Sequence, residues 1–161
     1  MRNEANIIKY QLAVAELRNS DDRLKLAHAV RHLGDAYYYA GEKRLAKPHY
    51  VEALSIYRNH DDRRPLDFAN ALRSYAVLQA DLGATDEAKS LWQEAHDLYL
   101  LLDVQAGVAE SAARLAILAL RENDFRRSRE WLAEASEAVQ IANDAETSRF
   151  VAEVKDQIDA S

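Results

Sequence analysis

Apolar residues recur at three- and four-residue spacing along most of the chain, which is the period of an amphipathic helix. Short polar stretches that carry Gly, Asn, Asp or Pro separate the periodic segments. This pattern predicts an all-α fold, and the short connections make neighbouring helices antiparallel. The eight predicted helices are residues 3–18, 23–40, 43–59, 66–82, 85–102, 106–122, 125–142 and 145–159.

Capping residues mark the boundaries of these helices. Aspartates precede several helical segments, where a carboxylate can accept backbone N–H bonds and face the positive end of the helix dipole. Gly or Asn follows the end of other helical segments, where the backbone often adopts the left-handed conformation that these residues tolerate. Pro65 suits a first helical turn, whereas Pro48 predicts a mild distortion. The predicted caps are Asp21, Asp22, Asp61, Asp62, Asp124 and Asp144, and the predicted left-handed ends are Gly41, Gly83 and Asn123.

Similar sequence segments recur along the chain at a nearly constant spacing. RNSDDR at residues 18–23 recurs as RNHDDR at 58–63, and the helical segments after them are offset by 40 to 42 residues. A third copy lies 40 residues further on, so that Gly34, Ala76 and Ala116 occupy one equivalent position. A period of this length is typical of stacked two-helix repeats, in which each repeat buries its apolar face against its neighbours.

A second motif, with the spacing small-x3-large-x2-small, places three residues on one helical face. The large residue inserts into a neighbouring helix and the small residues permit close approach, so the motif predicts a packing seam. Its copies are Ala46-Tyr50-Ala53, Ala88-Trp92-Ala95 and Ser128-Leu132-Ala135, with an imperfect copy at Asn6-Tyr10-Ala13.

Leu33-Gly34, Tyr37, Gly41 and the Ala46-Tyr50-Ala53 motif resemble the tetratricopeptide (TPR) repeat. The period and the proline in AKPHY are similar to the kinesin-light-chain type. The resemblance implies one domain over residues 1–161, a right-handed superhelical solenoid. It has repeats at about 23–59, 66–102 and 106–142, a half-repeat helix at 3–18 and a cap at 145–159.

The resemblance also implies that the first helix of each pair lines a concave, peptide-binding groove. Helical spacing independently places several of these residues on one face. Carried over by position, the groove residues are His28, Arg31, His32, Asp35, Tyr38, Tyr39, Asn70, Arg73, Ser74, Val77, Asp81, Glu110, Arg114, Ile117 and Arg121.

Composition and the lack of certain motifs exclude several classes of function. The net charge of −6 opposes a nucleic-acid or anionic-membrane surface, and the absence of cysteine excludes disulfides and thiolate chemistry. The start MRNEANIIKYQL lacks the apolar core of a secretory signal, so we expect a cytoplasmic protein. Without GxGxxG, GxxxxGK or GxSxG spacing, we expect neither an enzyme nor a cofactor.

The predicted groove contains four arginines against three acids, which makes it relatively basic on an acidic chain. Arginine grips carboxylates through two N–H donors, and Tyr38 and Tyr39 offer flat amphipathic surface. We therefore predict a non-enzymatic scaffold that binds a protein or peptide segment, acidic in character. The alternative is that these arginines pair with the interleaved acids on a solvated face.

Three other interpretations stay open. His28, His32 and Asp35 have a spacing that could hold a metal ion, although no fourth ligand is evident and structural or peptide-contacting histidines are favoured. A pocket at Tyr38 and Tyr39 could serve a small-ligand sensor. Self-assembly could use apolar residues of the terminal helices, namely Ile7, Ile8, Phe150, Val151 and Val154.

Overall fold

The computed structural model describes residues 2–161, with side chains from residue 4 onward. Over this range the chain forms eight helices and no strand, as the periodicity predicts. The predicted ends differ from the observed ones by a residue at most. The helices are α1 (Arg2–Leu17), α2 (Arg23–Tyr39), α3 (Lys43–Arg58), α4 (Pro65–Asp81), α5 (Thr85–Leu101), α6 (Gln105–Arg121), α7 (Phe125–Ala142) and α8 (Ala145–Asp159).

Aspartate caps are confirmed at three helix starts. The carboxylates of Asp22, Asp124 and Asp144 each accept a hydrogen bond from the backbone N–H three residues later. The prediction is wrong for Asp61 and Asp62, because α4 begins after Arg64, with Pro65 in its first turn. Proline fixes a helical φ without needing a partner for its nitrogen, so this start depends on the ring rather than on a carboxylate.

The predicted left-handed ends are also confirmed. Gly41, Gly83 and Asn123 have φ values of 85°, 79° and 61°. The structure adds Asp103 and Asn143, with φ values of 55° and 49°, after α5 and α7. Asp and Asn tolerate this conformation better than other non-glycine residues, but both are common in other conformations too, so neither position was evident from the sequence. Helix α3 continues through Pro48.

The helices group into two compact units, an N-terminal unit (Met1–Gly83) and a C-terminal unit (Ala84–Ser161). In the N-terminal unit α2 packs against α1, α3 and α4, and α3 also packs against α4. In the C-terminal unit α6 packs against α5, α7 and α8, and α7 also packs against α8. Sequential neighbours therefore pair within each unit, as stacked helix pairs require.

The predicted seam is buried in both units. Ala46, Tyr50 and Ala53 are buried in the N-terminal unit, and Ala88, Trp92 and Ala95 are buried in the C-terminal unit. Gly34 lies under the Tyr50 ring, where an added methyl group would come within 2.8 Å of a ring carbon. Glycine is therefore required at this point of α2 because the tyrosine of α3 fills the space of a side chain.

The third copy of the seam uses a different contact. The buried Ser128 hydroxyl of α7 donates to the backbone carbonyl of Ala116 on α6 at 2.9 Å. Serine thus replaces alanine without an unpaired polar group, since its hydroxyl finds an acceptor on the facing helix. Leu132, at the bulky position, is half-buried.

No helix among residues 2–161 has the length and apolar character to cross a membrane.

Candidate functional site

The predicted groove residues of α2 begin with two histidines and an arginine. Nε2 of His28 lies 3.1 Å from Nε2 of His32, and a guanidinium nitrogen of Arg31 lies 2.7 Å from the same His32 atom. A guanidinium only donates hydrogen bonds, so Nε2 of His32 accepts and its hydrogen lies on Nδ1. The His32 ring also stacks on Tyr10 of α1, with ring centroids 5.2 Å apart.

Asp35 is the centre of the next cluster. One of its oxygens accepts from Arg31 at 2.8 Å, and the other accepts from the Tyr50 hydroxyl of α3 at 2.9 Å. Burial raises the pKa of Asp35, but hydrogen bonds from His32, Tyr50 and Ser74 and the charge of Arg31 outweigh burial and hold that pKa below its usual value. The carboxylate therefore ties α2 to α3 and α4 as an anion.

Tyr38, at the last turn of α2, bridges to the end of α4. Its hydroxyl donates to Asp81 at 2.8 Å, and Lys43 of α3 pairs with the same carboxylate at 2.9 Å. Tyr39 projects into solvent with its ring edge-on to Tyr38. These two tyrosines therefore differ, since Tyr38 is held in a hydrogen bond and Tyr39 is an exposed aromatic surface.

Two contacts join predicted residues of α2 to predicted residues of α4: Asp35 accepts a hydrogen bond from Ser74, and Tyr38 donates one to Asp81. We call the predicted polar residues of these two helices the α2–α4 face. The α4 side chains of Asn70, Arg73 and Ser74 are half-buried on it. The face consists of His28, Arg31, His32, Asp35, Tyr38, Tyr39, Asn70, Arg73, Ser74 and Asp81.

Of the other predicted residues, Val77 belongs to α4, and Glu110, Arg114, Ile117 and Arg121 belong to α6 in the C-terminal unit. Arg114 lies 3.9 Å from Glu110 and places its guanidinium 4.4 Å from the centre of the Phe150 ring of α8. This arginine is therefore part of the packing between α6 and α8. Arg121, in the last turn of α6, is exposed.

The arrangement of His28, His32 and Asp35 does not match the metal site that their spacing could have formed. Nε2 of His32 faces His28, whereas its Nδ1 lies 3.5 Å from Asp35. His28 and Asp35 thus lie at different nitrogens of His32, and Arg31 lies at the same Nε2 atom as His28. Within the described residues, no group of three or more His, Cys, Asp or Glu side chains is arranged to hold a metal ion.

Sequence analysis missed a polar cluster in the C-terminal unit. His96 of α5 is buried, and its Nδ1 lies 2.9 Å from the Ser111 hydroxyl of α6 while its Nε2 lies 3.0 Å from Glu134 of α7. Ser111 is fully buried and donates its hydrogen to the Gly107 carbonyl at 2.6 Å. The cluster thus joins α5, α6 and α7. Its spacing of 15 and 38 residues carries no local signal.

Several solved structures are similar to this chain over most of its length. The chain resembles the solved structure of BtubC (BKLC) from P. vanneervenii, with 22% identity and a TM-score of 0.71 over 96% of this chain and 63% of that one. It also resembles nearly identical TPR-like repeats from a Podosopora anserina protein described as a kinesin light chain. There the identity is 14% and the TM-score 0.70, over 98% of this chain and 85% of that one. The chain has a TPR-like repeat fold.

A third TPR-like match is aspartyl phosphate phosphatase F from Bacillus subtilis, with 14% identity and a TM-score of 0.73. The match covers 88% of this chain and 39% of that one. The chain therefore spans less than two thirds of the length of BtubC and of the phosphatase. No family model and no curated protein matches the chain. The TPR-like fold rests on the structural likeness and on the repeat motif together.

Proposed function

We propose that the chain is a non-enzymatic interaction scaffold and that the α2–α4 face of the N-terminal unit binds a segment of a partner protein. The main support is the hydrogen-bonded network that runs from Arg31 through Asp35 to Tyr50, and from Tyr38 to Asp81. This network orders the polar side chains before a partner arrives, so less conformational entropy is lost on association. A TPR-like fold hosts many tasks, and the phosphatase name of one similar protein carries no activity to this chain.

We further propose that the partner segment is acidic. Arg31 is committed to Asp35 in a largely buried pair, with 12% and 19% of the two side chains exposed. Arg73 is half-buried on the α2–α4 face and Arg121 is exposed on the C-terminal unit, and we assign the partner's carboxylates to these two guanidinium groups. A guanidinium can hold a carboxylate through two parallel N–H donors, and the exposed Tyr39 supplies apolar contact area.

Peptide selection from a random display library tests this proposal. Selected peptides should be enriched in Asp and Glu, and substitution of their acids by amides should weaken binding. Arg73→Glu should lower their affinity at least about tenfold, because it sets a carboxylate against a carboxylate. Arg44→Glu makes the same charge change at an exposed position of α3 outside the α2–α4 face and is the control.

Two outcomes contradict the proposal. In the first, the selected peptides show no excess of acidic residues. In the second, Arg73→Glu and Arg44→Glu weaken binding equally, which assigns the effect to overall charge rather than to the α2–α4 face.

Self-assembly through α1 is the second candidate function. Ile8 and Leu12 lie one helical turn apart and are 57% and 67% exposed. By contrast, Val151 and Val154 of α8 are buried in the C-terminal unit, so the predicted contribution of these two residues is unsupported. Light scattering should show a mass that rises with concentration and falls in an Ile8→Ser, Leu12→Ser variant. A constant monomer mass excludes a stable dimer.

A further inference from the structure

An open groove of about 650 Å³, which we call the α3 groove, runs along the exposed side of α3 and reaches the first residue of α2. Its apolar lining consists of Pro48, Val51 and Ile56, and Val51 is 47% exposed. Removal of apolar surface from water is favourable, so a ligand with an apolar body gains affinity here. A volume of roughly 300–1000 Å³ is usual for a small-molecule site.

Three exposed cations surround the apolar lining. Arg44 and Lys47 lie about one turn apart on α3, and Arg23 begins α2. Among residues 4–161, none of the three side chains has an ion-pair or hydrogen-bond partner. Their charges are therefore available to an anionic ligand.

Glu52 is the acidic residue of the lining, and it is already paired. Its two carboxylate oxygens accept hydrogen bonds from the Arg18 guanidinium at 2.7 and 2.9 Å. Arg18 does not line the groove, so this pair cancels the charge of Glu52 without using any of the three groove cations. The α3 groove is therefore positively charged, on a chain whose net charge is −6. A groove of this charge attracts an anion and disfavours a cation.

The repeat itself does not account for this groove. In α5 the positions equivalent to the two α3 cations and to the exposed valine are Asp86, Lys89 and Gln93. Lys89 pairs with Glu122 at 2.6 Å, so α5 offers neither two unpaired cations nor an exposed aliphatic side chain there. The combination is thus a property of α3 rather than a requirement of helix stacking.

We propose that the α3 groove binds a small amphipathic anion. Arg44 and Lys47 hold its carboxylate, sulfonate or phosphate head group, because side chains three residues apart on a helix can reach one ligand. The apolar body lies over Pro48 and Val51 towards the start of α2. Residues 47 to 55 span about 12 Å of helix at about 1.5 Å per residue, which sets the length of that body. The groove shares no residue with the α2–α4 face, so a charge change in one leaves the ligand of the other unaffected.

Two fluorescent probes with nearly the same ring system test this site in the full chain. Anilinonaphthalene sulfonate carries a negative charge, whereas phenylnaphthylamine lacks the sulfonate and is neutral. The anionic probe should bind the wild-type chain saturably with increased fluorescence, and its affinity should fall as added salt screens the exposed cations. Arg44→Gln combined with Lys47→Gln should weaken the anionic probe about 3- to 10-fold and leave the neutral probe unchanged, because it removes two charges but little apolar surface.

Matched variants locate the site. Arg129→Gln combined with Lys155→Gln makes the same charge change at exposed positions of the C-terminal unit and should leave the anionic probe unchanged. Val51→Asn should weaken both probes about threefold or more, since both cover the same apolar surface. Leu45→Asn, on the same helix, changes a residue that is 49% exposed and outside the groove lining, and it should leave both probes unchanged.

Four outcomes overturn the proposal. The anionic probe does not bind saturably, the two double variants behave alike, or Val51→Asn and Leu45→Asn behave alike. In the fourth, the acidic peptides selected for the α2–α4 face displace the anionic probe, which assigns the groove to the peptide. Arg73→Glu should leave both probes unchanged, so this proposal and the proposed peptide site can fail separately.

Discussion

The two units each place a polar cluster between helices, but they expose it to different extents. In the N-terminal unit the Asp35 carboxylate, 19% exposed, joins α2, α3 and α4 at the edge of the α2–α4 face. In the C-terminal unit His96, 3% exposed, joins α5, α6 and α7 in the interior. The two clusters thus differ at their central group, which lies near the surface in the N-terminal unit and in the interior in the C-terminal unit, where only the Glu134 carboxylate at the edge of the cluster is 39% exposed.

This difference shows that the repeat motif sets where helices touch but not whether polar groups between them can be reached. Ser111 is fully buried and donates to the Gly107 carbonyl, and His96 beside it is buried too. Asp35 orders Arg31 and Tyr50 beside exposed residues such as Tyr39. For this reason we place the proposed peptide-binding face in the N-terminal unit.

Removal of the Asp35 carboxylate from the N-terminal cluster should have the largest effect on the free energy of unfolding. Asp35→Ala leaves the largely buried Arg31 guanidinium without its carboxylate and should lower the free energy of unfolding by about 3 kcal/mol. Urea unfolding followed by far-UV circular dichroism measures this loss. Asp81→Ala, which removes an exposed carboxylate of the same face, should cost less than about 1 kcal/mol. Equal losses in the two variants would contradict the importance that we give to the Asp35 cluster.

Removal of one hydroxyl from the C-terminal cluster should have an intermediate effect. Ser111→Ala leaves Nδ1 of the buried His96 without a partner and should cost about 1–2 kcal/mol. Trp92 and Trp131 both belong to this unit, so tryptophan fluorescence follows its unfolding. Ser136→Ala removes a half-buried hydroxyl that bonds only within α7 and should cost about 0.5 kcal/mol or less. A Ser111→Ala variant as stable as Ser136→Ala would show that the buried cluster is dispensable.

The smallest effect concerns pH and His28. Because the folded-state pKa of His28 is below its unfolded value of about 6.5, the unfolded chain binds the proton first on acidification. Wild-type stability should therefore fall as the pH is lowered through and below about 6.5, and His28→Gln should remove that part of the fall. Urea midpoints of both proteins between about pH 7.5 and about pH 5 measure the difference. Parallel pH profiles would rule out a contribution from His28.

Much of the fold could be predicted because its signals are local. Periodicity located every described helix to within a residue, and Gly41, Gly83 and Asn123 marked three turns. The wrong caps at Asp61 and Asp62 have a local cause too, since Pro65 offered an equally strong start signal a few residues later. The left-handed conformation of Asp103 was not predicted, because aspartate occurs in many conformations and is only a weak signal for a left-handed turn.

The candidate sites were harder to predict. Spacing along α2 grouped His28, Arg31, His32 and Asp35, but it could not show that Arg31 is committed to Asp35. In the same way, no local signal indicated that the hydroxyl of the buried Tyr57 has no hydrogen-bond partner among the described residues. An unpartnered hydroxyl is defined by everything around it, so no pattern along one helix reveals it.

The sequence by itself determined the helices, their repeat and the seam of small and large residues, because these depend on interactions within a few turns of one chain segment. The tertiary structure alone decided which charges are paired, which hydroxyls are satisfied and where space remains between helices. Those properties depend on residues distant in sequence, such as Tyr50 on α3 facing Gly34 and Asp35 on α2. Burial and hydrogen bonding, rather than residue identity, thus show that Arg31 has a structural role.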